Sequence, residues 1–191
     1  MAATTSPDSA PSEDGADAEG GRAPAAGFGR RVLGFFTVDR LVLLGAFAVS
    51  RVAYGMAGVV FDASGIDYSS QLLDQTLLKD RLLESVWYLH AQPPAYNLFV
   101  GAVLKFSPFS RELSFHLAFL ALGLVMILVL HDLGRRLRLG RWTAVVVAIV
   151  IACAPTIVLF ENWLSYEYPV AVMLLVLVDL AAHYGETRRT G

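Results

Sequence analysis

The chain has 191 residues, a formal net charge of −2, 55% hydrophobic composition and a mean hydropathy of +0.55. Its apolar residues are gathered into runs that approach the ~17 to 25 residues needed to cross a hydrocarbon core of roughly 30 Å. One such run suits a soluble helical core, but four in a chain this short exclude an ordinary soluble domain, and nothing in the charge pattern calls for nucleic acid.

Residues 1–30 open with MAATTSPDSAPSEDGADAEGGRAPAAG, a segment of Ala, Gly, Ser, Pro and acid. It cannot bury enough apolar surface to offset its ordering entropy, so a disordered cytoplasmic tail is expected. It is not a secretory signal, because no basic start leads directly into an apolar run.

A transmembrane module is predicted over 31–185, beginning with a span at about 41–61 that is interrupted only by Ser50 and Arg51. An arginine at that depth costs several kcal/mol unless it faces a partner or a wet cavity. Arg51 therefore either forms a structural pair, with Asp179 of a later span as one partner, or lines a site. Two carboxylates follow the span, Asp62 and Asp67, in the turn-rich stretch FDASGIDYSS. Asp62 reads either as an interfacial cap or as a functional acid whose partial desolvation would give it useful basicity.

QLLDQTLLKDRLLESVWYL (71–89) is predicted helical, with a break near 74–76. Leu78, Leu82, Leu83, Val86 and Trp87 share one face and Lys79, Asp80, Arg81 and Glu84 the other, the pattern of a helix lying flat at a membrane interface.

LHAQPPAYN (89–97) comes next. Proline suits the first helical position and turns the preceding residue away from the α region, so Pro93 or Pro94 starts a helix. The free N–H groups and dipole of its first turn would attract an anion such as phosphate, with His90 and Gln92 adding donors. The plainer alternative is that Pro-Pro ends the surface helix and His90 is simply wetted. The helix of 93–106 would reach only about 21 Å, so it is expected to be partial, re-entrant or tilted, with a full crossing as the alternative.

Spans are then predicted at about 113–131, containing His116, at 142–160, containing Pro155, and at 169–183, containing Asp179, before a tail at 186–191. The lone Cys153 reads as a small packed residue. Between the last two spans, ENWLSYEY (161–168) forms a polar cluster with Glu161, Asn162, Tyr166 and Glu167. Arginines gather at 30, 31 and 40, at 135, 136, 138 and 141, and at 188 and 189. Because basic loops stay cytoplasmic, this predicts four spans with both termini inside and with 62–92 and 161–168 outside. The expected fold is an all-α integral membrane protein of the cell membrane. It has four to five transmembrane helices and amphipathic interfacial helices in the first outer loop.

An acid closing the first span, an amphipathic helix in the first outer loop, and His90-Ala91-Gln92-Pro93-Pro94-Ala95-Tyr96 opening a short apolar helix resemble the GT-C superfamily of polytopic glycosyltransferases. That group includes the protein O-mannosyltransferases and the lipid A aminoarabinose transferases. Many bacterial members read H-P-P-L-Y where this chain inserts two residues after the histidine. The stretch from LGRRLRLGRW to ENWLSYEYPVA is similar to the family's basic turn, proline-containing helix and outer acid-plus-tyrosine segment, so the resemblance covers most of 35–185.

The resemblance implies transfer of a sugar from a polyprenyl-phosphate donor at the outer face. Asp62, with Asp67 second, would be the general base or the ligand of a divalent cation. His90 and Gln92 would hold the donor phosphate, with Arg51, Tyr96, Glu161 and Tyr166 lining the substrate site. Family members are usually longer, with further spans, so a truncated product, a fragment or one part of a complex with another membrane protein is expected. A non-catalytic scaffold or lipid-binding subunit is the alternative. A small transporter using Arg51 and Asp179 lacks the inverted repeat such folds carry. Convergence of Asp62, His90 and 161–167 on one cavity would distinguish enzyme from scaffold.

Overall fold

A computed structural model describes residues 37–68, 72–88 and 94–190. The predicted tail at 1–30, and His90 and Gln92, lie outside the described residues. What is described is helical: α1 (Val38–Met56), α2 (Gly65–Tyr68), α3 (Gln75–Asp80), α4 (Leu82–Trp87), α5 (Pro94–Phe106), α6 (Arg111–Arg136), α7 (Arg141–Ala152), α8 (Pro155–Glu161) and α9 (Glu167–Thr190).

α6 is the hub. It packs most extensively on α7 and α9, and also on α1 and α5. Ser110 caps it by accepting the N–H of Leu113 (3.4 Å), and Glu112 in the first turn and Arg135 and Arg136 in the last complement its dipole. It ends where Arg138 adopts φ +64° and the Leu139 N–H returns to the Gly134 carbonyl at 3.0 Å. Phe115, Phe119 and Ile127 of α6 are wholly buried with Leu43 of α1, Val100 of α5 and Ala148 of α7. Gly134 lets α7 approach: a Cβ there would stand 3.2 Å from that of Ala144.

Large apolar side chains also face outward. Met173, Leu174, Leu177, Val178 and Leu180 of α9 are all exposed, as are Leu113, Leu117 and Val125 of α6. Two helices, Arg111–Arg136 and Glu167–Arg188, are long and apolar enough to cross a membrane, and a third span exists if α7 and α8, bent by 59°, are taken together. That is fewer than the four to five predicted. α1 carries Asp39, Arg40 and Arg51 within its 19 residues, and the 13 residues of α5 reach only about 20 Å.

Three local expectations change. The break in 71–89 falls at Arg81, not near 74–76, because the Asp74 carboxylate accepts the N–H groups of Thr76 (2.8 Å) and Leu77 (3.3 Å) and so begins a helix instead of ending one. Leu78 and Leu82 of the predicted apolar face pack against α5, while Leu83 and Trp87 remain exposed. The third predicted span is broken at Pro155, which occupies the first turn of α8 after an extended Ala154. Residues 186–190 continue α9, where Glu186 pairs with Arg136 at 3.0 Å.

Candidate functional site

The segment leaving α1 pairs with the segment leaving α8. The Asp62 N–H donates to the Asn162 carbonyl (2.8 Å) and the Leu164 N–H donates to the Asp62 carbonyl (2.9 Å), forming an isolated parallel bridge between Asp62 and Trp163. Gly65 lies so close to the Leu164 carbonyl that any Cβ there would collide with it. This backbone clamp brings one predicted acid to the polar cluster of 161–168.

A groove of about 680 Å³ runs beneath it, walled by Val59, Val60, Leu159, Phe160 and Trp163, with Asp62 among its few polar residues. The Asp62 carboxylate is exposed and accepts the Ser64 N–H at 2.8 Å. Hydrogen bonding from Ser64 holds its pKa below the ordinary 3.8, so it is ionised throughout the neutral range. The expected desolvation and raised basicity are absent, because the carboxylate faces water.

Asp67 does not join it. It accepts from Gln75 Nε2 (2.8 Å) and pairs with Arg111 (3.3 Å) beside α3 and the start of α6. The two predicted acids therefore serve different places. Among the described residues no group of three or more His, Cys, Asp or Glu side chains is placed to hold a metal ion.

Arg51 and Glu161 meet each other instead of a ligand. Nε donates to Oε1 at 2.8 Å and Nη2 to Oε2 at 2.6 Å, a bidentate pair in which Glu161 is wholly buried. The Tyr168 hydroxyl donates to Oε2 (2.9 Å), Arg51 Nη1 reaches Ser50 Oγ (2.8 Å) and the Ala152 carbonyl (3.1 Å), and the Phe47 ring lies 4.0 Å from the guanidinium. Gly123 of α6 completes the enclosure, since a Cβ there would overlap the Glu161 carboxylate. Asp179, the partner anticipated for Arg51, pairs with Arg136 at 2.8 Å.

Tyr96 and Tyr166 do come together, ring centroids 6.4 Å apart and edge to face, with Tyr96 buried. Beside Tyr96, Asn97 is wholly buried and accepts the Leu73 N–H at 2.8 Å, tying α5 to the segment before α3. Tyr168 and Asn97 escaped the sequence reading. A buried arginine calls for a carboxylate, but no local pattern marks a tyrosine one helix after Glu161 as the third member.

The chain matches no family model, and neither curated proteins nor solved structures show a significant likeness to it.

Proposed function

We propose that this protein is a GT-C-type membrane module that holds a polyprenyl-phosphate-linked sugar at the outer face of the cell membrane. In this reading the chain makes four to five crossings, with α5 a partial one and α3 and α4 at the interface. The single observation that carries it is an ionised carboxylate at the rim of an apolar groove, fixed by backbone pairing between two chain segments. An isoprenoid tail suits Val59, Val60, Leu159 and Phe160, while the sugar would lie towards Asp62 and Asn162.

Asp62 would accept the hydrogen bond of the attacking hydroxyl and orient it, taking the proton as the glycosyl–phosphate bond breaks. Its low basicity suits a transfer in which the proton leaves late. Arg51 and Glu161 are removed from the substrate-contacting set. They would act as the brace that fixes the α8 end and, through it, the groove.

That same saturation favours a second reading, a lipid-binding scaffold with no turnover, in which the groove holds polyprenyl phosphate and Asp62 is only a turn cap. Membranes containing the full chain, supplied with labelled polyprenyl-phosphate hexose, separate the two. Asp62→Asn is expected to lower transfer by about 100-fold or more while polyprenyl phosphate remains bound. Transfer at the wild-type rate would reject the catalytic reading. Binding without transfer by either protein would leave the scaffold.

A further inference from the structure

Among the described residues Asp62 is the one charged group lining the groove of about 680 Å³, and it enters no ion pair; its carboxylate meets only Ser64. We propose that this groove binds a lipophilic monocation, an alkylammonium drawn from the membrane, with its head on Asp62 and its chain along the apolar wall. The inference does not rest on the glycosyl reading, for it needs neither a sugar donor nor turnover.

The bridge between Asp62 and Trp163 is made by backbone groups alone, so both side chains stay outside it. It holds a carboxylate beside an exposed indole, and the exposed Phe160 ring stands next to that indole, centroids 6.1 Å apart and tilted by 34°. Aromatic faces attract an ammonium and the carbons bonded to it through the ring quadrupole. Val59, Val60 and Leu159 continue the wall for an alkyl chain. An exposed ion pair is worth little by itself. The aromatic and apolar contacts therefore supply most of the affinity, and Asp62 selects the sign.

The lining offers an anion little. It contains no Lys, Arg or His, and the Asn162 amide turns inward to the Val158 carbonyl at 2.8 Å. The N–H groups of Asp62 and Leu164 are consumed by the bridge. A donor phosphate would therefore sit beyond this lining, whereas an ammonium fits within it. Ser64 donates to the carboxylate and keeps it ionised, and two carboxylate oxygens have about four acceptor sites, so capacity remains for a cation.

Trp163 reports on the site once it is the only tryptophan, so the test uses the full chain carrying Trp87→Phe and Trp142→Phe in phosphatidylcholine nanodiscs. Dodecyl amphiphiles with a nitroxide in the head group quench tryptophan on contact, and a cationic ammonium form is compared with a neutral amide form. The choline head groups of the disc are zwitterionic and in excess, so a preference seen there is one for a monocation. The cation is expected to quench Trp163 at about ten-fold lower concentration than the neutral form. Asp62→Asn should reduce that ratio to about two-fold or less, with the neutral form quenching as before, and Asp62→Glu should keep it. Thr156→Lys, which brings a cation to the same exposed lining, should remove it likewise. A chain whose only tryptophan is Trp142, where Arg141 already lies 5.5 Å from the ring, should show no such ratio. Equal quenching of Trp163 by the two forms would overturn the proposal, as would an unchanged ratio in both Asp62→Asn and Thr156→Lys. The same ratio at Trp142 would show mere partition of the cation into the disc and would overturn it too.

Discussion

Two polar clusters tie α1 to its neighbours, one at each end, and they are built on different principles. Near the C-terminal end, one guanidinium meets one carboxylate, with side-chain exposures of 10% for Arg51 and 0% for Glu161. At the start of the helix, Asp39 and Arg40 join a wider network. Asp39 takes Arg141 at 3.1 Å, and Asp132 takes Arg40 at 3.2 Å and His131 Nδ1 at 3.0 Å. Here Arg141 is 47% and Asp132 36% exposed, so water shares the load. The first arrangement has one counter-charge per charge and almost no solvent to replace it. The second has several partners per charge and solvent beside them. A stoichiometric buried pair fixes how α1, α8 and α9 meet, whereas a wet, redundant network tolerates loss of a member.

Breaking the buried pair should therefore have the largest effect. Glu161→Gln leaves Arg51 buried without a counter-charge and is expected to destabilise the protein by about 3–5 kcal/mol. Chemical unfolding in detergent micelles measures it, and a loss under about 1 kcal/mol would mean that water reaches the pair. Replacing both partners, Arg51→Met with Glu161→Leu, is expected to recover most of that loss, because the cost lies in the orphaned charge rather than in the missing bond.

The next effect is steric. Gly123→Ala puts a methyl group onto the Glu161 carboxylate, with the carboxyl carbon 2.9 Å and a Phe47 ring carbon 3.0 Å from the new Cβ. An overpacked site of this kind costs about 1–3 kcal/mol. The pair should survive in a shifted position, so unfolding ought to show a smaller loss than Glu161→Gln. Equal losses from the two variants would mean that the methyl group expels the carboxylate altogether.

Much of this was legible in the sequence, for reasons that differ by element. α6 and α9 declare themselves through long apolar runs, and Pro94 begins a helix through local backbone chemistry, whereas Asp74, a cap in the structure, reads as a break in the sequence. Arg51 announces a need for a partner and Asp179 is the expected one, whereas Glu161 falls in the outer polar cluster. The fold corrects this, giving Asp179 to Arg136 and Glu161 to Arg51. The 59° bend at Pro155 could not be separated from a mild kink, since proline permits both. The parting of Asp62 from Asp67 was equally hidden. It depends on the bridge to Trp163 and on Arg111, far along the chain. Short-range chemistry was readable; choices among distant partners were not.

The smallest effect sharpens the comparison from the wet side. Asp132→Asn removes a full charge, as Glu161→Gln does, but its neighbours have other recourse. Arg40 is 23% exposed and keeps access to water. An asparagine amide in the same place both donates and accepts, so it can keep the 3.0 Å contact with His131 Nδ1 as a hydrogen bond. His131 Nε2 stands 3.3 Å from Asp39 but off the line of a hydrogen bond, so this second contact neither strengthens nor replaces the first. The expected loss is about 0–1 kcal/mol, shrinking further as salt is raised, whereas the loss from Glu161→Gln should hardly respond to salt. Unfolding of both variants at low and high ionic strength checks the pair of statements. A salt-insensitive loss of several kcal/mol from Asp132→Asn would show that this end of α1 is as dry as the other, and the distinction between the two clusters would fall.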